Sequence, residues 1–533
     1  MKVVVVGSGL SAVGALKALI SSGIEPVVVD VGRRLEPDKE ELKLRLSMSN
    51  PDAWSAEDIK SLSTNKSIKP MTKVPKKLVL GSDYFYSTDS QRAVGFKNFS
   101  ESSPPYSLAL GGFSSGWGGA YLPPAESELQ EWPVTHETIL MHMRECFKEI
   151  PCSEPVDEIS KFFPPLSPEK SLVLGLTKGE TKLASRLKGA TRTNLDSPEL
   201  FGQARLLTRV KSSGTLKGCL NCGYCNAGCV YDAIYRAEID IERMKSNRQI
   251  VYLGGLNVLT ISESGSSVKI TVLNLNDDKE SVIECDLLFL AAGAVNSSRI
   301  LLQSQKMTGR EIEIKKTGGF IQPYASLSHY PVAWPNKNTQ STFFLEFQEP
   351  KVSKHWVHAQ LSQPNELVLS KMGLDDARIN SLHGKLAKFA SGNLLVAMVN
   401  THSDLGSKYI VRIGTNFVKG IAQIESKQVL HPNQKEITKL LAKRLFRILR
   451  RKNFLPLNFL RQESHSAVGY HFGASFPMRA NPLAPTDSDE LGRPFGWKHV
   501  HVVDTSVLPS IPGTTVGMLT MANAHRIASR AVL

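Results

Sequence analysis

The opening stretch MKVVVVGSGLSAVGALKALISSGIEPVVVDVG constrains the fold more than any other part of the chain. Lys2 to Val6 is a short β-branched run suited to a buried parallel strand, and Gly7-Ser8-Gly9-Leu10-Ser11-Ala12 follows it at once. The spacing is that of G-x-G-x-x-A: Gly7 permits the tight turn, Gly9 leaves room for a pyrophosphate, and Ala12 lets the next helix lie close on the sheet. A helix from Ser11 to Ser22 aims its free N–H groups at that phosphate. Pro26-Val27-Val28-Val29 reads as a second strand, and Asp30 at its end is placed to accept hydrogen bonds from a ribose 2′-hydroxyl. A lone glycine triplet could be an ordinary βα turn. Strand, turn, helix, second strand and terminal acid together predict dinucleotide binding.

The chain has 533 residues, enough for a large core and two intertwined domains. No apolar run reaches the length of a membrane span, and the first strand starts at the N-terminus, so the expectation is a cytoplasmic protein without a leader. A net charge of +14 favours anionic ligands and admits peripheral contact with an acidic membrane, but the basic residues are dispersed. No nucleic-acid module is recognisable, and none is expected as partner.

Residues 36 to 100 are polar and Lys-rich, with Pro37, Pro51, Pro70 and Pro75 expected to interrupt any long helix, so the segment reads as a lid or rim. The lysines from Lys60 to Lys77 read as a solvated face. Ser107 to Gly119 sets many glycines around Trp117, a composition that permits unusual backbone angles beside a flat ligand. Cys219, Cys222, Cys225 and Cys229 have the C-x2-C-x2-C-x3-C spacing of ferredoxin-type iron–sulfur ligands. Tetrahedral zinc, or a packed turn that binds nothing, stays open as well, because Val230 stands where a proline usually follows and no second cysteine run exists.

From Ile250 the pattern is of strands: Val251–Leu253, Val258–Ile261, Val268–Val272 and Glu284–Leu290, the last opening a helix through Ala291-Ala292-Gly293. Residues 311 to 430 lose βα alternation, and stretches such as Thr342–Leu345 and His355–Ala359 suggest an antiparallel sheet facing substrate. Lys435 to Arg451 reads as a basic amphipathic helix packed on that domain.

Four motifs in order carry a family resemblance: GSGLSA at 7 to 12, LGGFSSGWGG at 110 to 119, LAAGAVNSSRILL at 290 to 302, and VVDTSVLPSIPGTT at 502 to 515 with its following helix. The chain resembles the glucose-methanol-choline (GMC) oxidoreductases, which carry FAD. The resemblance implies an α/β fold: a Rossmann-like FAD-binding domain, as in p-hydroxybenzoate hydroxylase, with an α+β substrate domain on an antiparallel sheet. The FAD-binding parts would be 1–35, 101–310 (holding the Cys-rich loop 219–229) and 461–533; 36–100 is the excursion and 311–460 the substrate domain.

The resemblance places the ADP half of FAD against Gly7, Gly9, Ala12 and Asp30, and the adenine end against Val258, Ala292 and Gly293. Gly112, Ser114, Trp117 and Gly118 correspond to the loop along the isoalloxazine. Asp504 and Thr505 match the pair near ribitol and pyrophosphate, and the helix entered at Val516 presents its positive end to the flavin N1–C2=O region. His471, in the segment Gly469 to Met478, matches the catalytic base, which takes the hydroxyl proton while hydride passes to flavin N5. The family usually has a second histidine or an asparagine where Thr515 stands; a threonine hydroxyl hydrogen-bonds substrate oxygen but is no base near neutral pH. His525 and Asn523 read as structural. No histidine lies near Trp117 for a covalent flavin link, so FAD is expected to be non-covalent.

The resulting expectation is a dehydrogenase acting on a sugar, polyol or related alcohol, with the cysteine cluster relaying electrons to an unidentified acceptor. A redox-neutral flavin isomerase or epimerase and an electron-transfer flavoprotein subunit are the alternatives at this stage.

Overall fold

The computed structural model describes residues 1–63, 78–85, 95–97, 103–167, 172–192, 197–371, 381–463 and 470–533. Pro70, Pro75, most of the Lys60–Lys77 run and Gly469 lie outside the described residues.

The two ends of the chain share one parallel sheet. Its strands lie in the order Val500–Val502, Leu287–Leu290, Val3–Val6, Val27–Val29 and Val251–Leu253, every neighbouring pair parallel. Such strands are covered on both faces, which is why Val3–Val6 and Leu287–Leu290 are buried without alternation. The opening helix Leu10–Ser21 packs on the closing helix Gly517–Ala531. At their crossing a Cβ on Gly14 would run into the carbonyl of Met521, so these backbones touch only because residue 14 has no side chain.

The continuous run predicted from Glu284 to Leu290 is two strands. Glu280–Cys285 pairs within a three-stranded antiparallel sheet, whereas Leu287–Leu290 enters the parallel sheet; Asp286 between them accepts a hydrogen bond from the backbone N of Lys2 at 2.6 Å.

The expected antiparallel sheet is present with seven strands. Phe454–Pro456, Gly318–Ser326, Leu394–Thr401, Ser353–Ser362, Phe343–Glu349 and Glu199–Gln203 follow one another, and Gln462–Glu463 also pairs with Gly318–Ser326. It therefore draws Glu199–Gln203 from before residue 311. Conversely, Ile312–Lys316 and the hairpin Lys408–Val418/Ile421–Val429 form a separate four-stranded sheet with Phe472–Gly473, and their apolar residues join the core of the parallel sheet. The basic helix spans Gln434–Leu449 and buries Ile437, Leu441, Leu445, Ile448 and Leu449 in the core of the seven-stranded sheet, as its periodicity predicts.

Pro37 begins a helix, Pro37–Ser47, where its missing N–H costs nothing, instead of interrupting one. Leu42, Leu46, Trp54 and Leu62 of the excursion form a small core with Tyr224, Ala227, Val230 and Tyr231. Its described part is thus a cover over the cysteine loop. Among the described residues no helix is long and apolar enough to cross a membrane.

Candidate active site

Gly7 has φ +103°, and a Cβ there would strike the carbonyl of Ala291, so the turn after the first strand admits no side chain. Gly9 precedes the opening helix in an extended conformation with no side-chain cap, and a Cβ on it would meet nothing within 4 Å. The first turn therefore has no side-chain cap, and the space beside Gly9 is free, an arrangement suited to an anion. Ala12 is fully buried.

Asp30 is held from an unforeseen side. Its Oδ2 accepts from the hydroxyl of Ser8 and from Tyr252 at 3.1 Å, and the Ser8 hydroxyl accepts in turn from the backbone N of Gly111 at 3.0 Å. Burial pushes the Asp30 carboxyl up to about 6, against the pull of Ser8 and Tyr252. Backbone bonds of 2.8 Å in both directions join Arg33 to Leu108 and Leu110 and bring the glycine-rich loop beside the second strand. There, a Cβ on Gly112 would lie 3.5 Å from the Cα of Gly9.

In that loop the Ser114 hydroxyl donates to the carbonyl of Gly111 at 2.6 Å and accepts from the N of Ala237 at 2.9 Å. Trp117 donates from Nε1 to the carbonyl of Tyr235 at 2.6 Å. A Cβ on Gly517 would meet Cζ3 of Trp117 at 2.7 Å and Cδ1 of Leu10 at 3.0 Å. The start of the closing helix thus lies against both the Trp117 ring and the start of the opening helix. Val516 begins the closing helix with no side-chain cap of its own. Gly118 offers its carbonyl to the Gln340 side chain.

Asp504 is buried, and burial raises its carboxyl above the usual range. It accepts from the N of Gly293 at 2.8 Å, from the Ser297 hydroxyl and from the N of Ser506 at 2.8 Å, tying the helix Ala294–Ser304 to the closing segment. Ala292 is half-buried with its carbonyl on Asn296 at 3.2 Å, and the Val258 carbonyl accepts from the buried guanidinium of Arg299 at 2.6 Å. The carbonyl of Thr505 accepts from the N of Ala474 at 2.8 Å, the first of three bonds that lay residues 474–478 along 505–507.

These bonds position His471 just upstream, its carbonyl accepting from the N of Thr317 at 3.0 Å. The residue is half-buried, yet its Nδ1 is shielded from solvent and has no partner. Burial first, and His358 second, push the imidazole down to about 4, so near neutral pH it is the unprotonated, proton-accepting form. His358 lies on the strand Ser353–Ser362 and bonds to Glu346 at 2.6 Å through Nδ1, with the Gln360 amide 3.2 Å from Nε2. Thr515 is buried, and its hydroxyl accepts from the N of Leu122 at 2.8 Å, leaving its own proton to donate. His525 pairs with His142 at 2.8 Å and Asn523 with Arg526 at 2.9 Å.

The four cysteines lie in one loop whose thiols lie close enough to interact electrostatically, and burial raises Cys222 to about 12 and Cys225 and Cys229 upward. Cys225 and Cys229 line a small cavity with Ser115, Gly116 and Trp117, on the back of the glycine-rich loop. Cys225 Sγ accepts from the N of Thr339 at 3.4 Å and Cys219 Sγ from the Asn338 amide at 3.5 Å. No three of the thiols come within 4.8 Å of one another, wider than the roughly 3.8 Å between sulfurs around one tetrahedral zinc. The single-zinc reading therefore does not match the loop as it stands.

Sequence reasoning missed Ser8, Tyr252, His358 and Glu346. Ser8 lay inside the glycine motif and was legible there. His358 had no such signal, because strand residues carry no spacing rule for chemistry.

The fold and cleft define an α/β protein with a Rossmann-like parallel sheet and an appended antiparallel sheet. Over its whole length this architecture matches a solved structure, that of pyridoxine 4-oxidase from Mesorbium loti, with a TM-score of 0.60, 13% identity, and 99% of this chain and 98% of that chain covered. No family model and no curated protein matches the sequence.

Proposed function

We propose that this protein is a FAD-dependent oxidoreductase of the GMC kind, binding the cofactor non-covalently and oxidising the CH–OH group of a sugar, polyol or related alcohol. The observation that carries this reading is the meeting of two uncapped helix N-termini, at Gly9–Leu10 and Val516–Gly517, with the loop 111–118 against both. Such a paired positive end suits a long ligand with a diphosphate in its middle and a ring that gains negative charge.

Gly7, Gly9 and the first turn ending at Ala12 would hold the diphosphate, and Asp30 the ribose. Val258, Ala292 and Gly293 would line the adenosine end; Gly112, Ser114, Trp117 and Gly118 the ring; Asp504 and Thr505 the ribityl chain. Bound FAD supplies a hydride acceptor. The chain's own part is to orient the alcohol and move its proton: neutral His471 accepts the hydroxyl proton on its imidazole, and the Thr515 hydroxyl donates to the substrate oxygen.

The similar structure is named an oxidase; a dehydrogenase is favoured here by the cysteine loop, whose buried sulfurs adjoin the back of the glycine-rich loop. An iron–sulfur cluster on Cys219, Cys222, Cys225 and Cys229 would pass electrons to an external acceptor, and a multi-iron cluster tolerates wider sulfur spacing than one zinc ion. Iron and acid-labile sulfide should be found in anaerobically purified protein; zinc in that loop, or no metal, refutes the relay. For the main reading, the purified protein should be yellow, release FAD on acid precipitation and bleach under anaerobic alcohol. Colourless folded protein that takes up no added FAD overturns it.

A further inference from the structure

Away from the cleft, one edge of the seven-stranded sheet and the helix Leu382–Ser391 turn large apolar side chains to solvent. Leu327, Leu455, Phe459, Leu382, Leu386 and Phe389 are all between 50% and 82% exposed. A single exposed leucine is ordinary on a protein surface, whereas a contiguous group marks a place of contact. The helix is the clearest case. It buries Gly384 and Ser391 and shows its leucines and phenylalanine to solvent, the reverse of Gln434–Leu449.

The six residues form one surface. Leu382, Leu386 and Phe389 are spaced by four and three residues, a stripe along the helix. Where the stripe ends, the Phe389 ring stacks on His329 with centroids 4.4 Å apart, and the Asn393 amide donates to the carbonyl of Ser326 at 3.0 Å. Leu327 lies in the chain between those two contacts. The strand Phe454–Pro456 sets Leu455 opposite Ala325, and the N of Leu457 donates to the carbonyl of Pro323 at 2.9 Å, which keeps the turn Asn458–Leu460 on the same edge.

The charge here has one sign. Residues 323–331, 381–393 and 450–462 hold all six apolar residues, together with Lys385, Lys388, Arg450, Arg451, Lys452 and Arg461, and contain no Asp or Glu. Arg451 turns to the buried Glu199, but Lys182 joins the others, its Nζ donating to the carbonyl of His329 at 3.2 Å. Basic residues dispersed along the chain are thus gathered by the fold. A symmetric contact with a second copy would set these like charges against each other. An acidic bilayer accepts both features, with apolar side chains between the head groups and cations among the phosphates.

We propose that this edge is a peripheral docking surface for an anionic lipid bilayer, on which the protein lies without crossing it. The inference is independent of the flavin reading.

The test is flotation of the full-length protein with vesicles of equal parts phosphatidylglycerol and phosphatidylcholine. Binding is expected there, and at least about tenfold less to phosphatidylcholine alone. The double variant Leu386→Glu/Phe389→Glu should bind anionic vesicles about tenfold or more weakly with an unchanged unfolding temperature, since both positions face solvent. Leu483→Glu, likewise exposed but outside the three segments, should bind as the unaltered protein does. Folded protein that ignores anionic vesicles, binds neutral ones equally, or binds undiminished in the double variant overturns the proposal. A dimer that the double variant splits, with no vesicle binding, also overturns it and assigns the edge to a second copy.

Discussion

The parallel sheet and the seven-stranded sheet are both well buried, but they divide their residues differently. In Val3–Val6 every side chain is core, so the strand has none to spare and the chemistry falls to the turns at its end: Gly7, Gly9, Asp30, Gly293. In Ser353–Ser362 alternate residues part company. Val357, Ala359 and Leu361 enter the core under the helix Gln434–Leu449, whereas Trp356, His358 and Gln360 point to the other face, where His358 acts on His471. On the proposed function, the first sheet would build its site mainly from backbone turns, the second from side chains. A cofactor common to many proteins suits the first kind of site, and a substrate particular to one suits the second.

Substitutions can break or sharpen that contrast. The largest effect is expected for His471→Ala, which should slow flavin reduction by about 10²–10⁴-fold while FAD stays bound, measured by anaerobic stopped flow. A variant that bleaches at the normal rate removes His471 from the mechanism. Leu361→Ala should cost about 2–5 kcal/mol in denaturant unfolding with little change in turnover per folded molecule. Its strand neighbour His358→Gln also costs stability, because the buried Glu346 loses its 2.6 Å partner, but it alone should move the acid limb of the pH–rate profile up as His471 becomes more basic. If both changes act alike, the two faces are not separate.

On the backbone-built side, Gly14→Ala should cost about 3 kcal/mol, because the added methyl forces the opening and closing helices apart. His471 also ties stability to pH. Its ring titrates near 6.5 when unfolded and about 4 when folded, so the unfolded chain takes up the extra proton and stability falls as pH drops from 6.5 to 4. In His471→Gln the slope of stability against pH in that window should be flatter, by at most about 1.4 kcal/mol per unit. The smallest effect is expected for Ser8→Ala, about 1 kcal/mol, from losing its bonds to Asp30 and Gly111.

The strands around 3–6, 27–29 and 251–253 and the helix Leu10–Ser21 were legible because β-branched runs and glycines act within a few residues. The Glu284–Leu290 run was misread as one strand, since two adjacent apolar segments look continuous until their partners are known. The cover that the excursion lays on the cysteine loop had no signal, because Trp54 meets Tyr224 and Tyr231 across the fold and not along the chain.

By itself the sequence determined the βαβ start, the glycine turns, the amphipathic helix near the end and the order of the motifs, all of them properties of local φ, ψ and periodicity. Tertiary structure alone decided that the starts of two helices lie against one another, that Asp30 is held by Ser8 and Tyr252, and that Glu128 meets His355 and His402. Those meetings depend on strand register and on which backbones lie close enough to touch. Neither is written in any window short enough to carry a pattern.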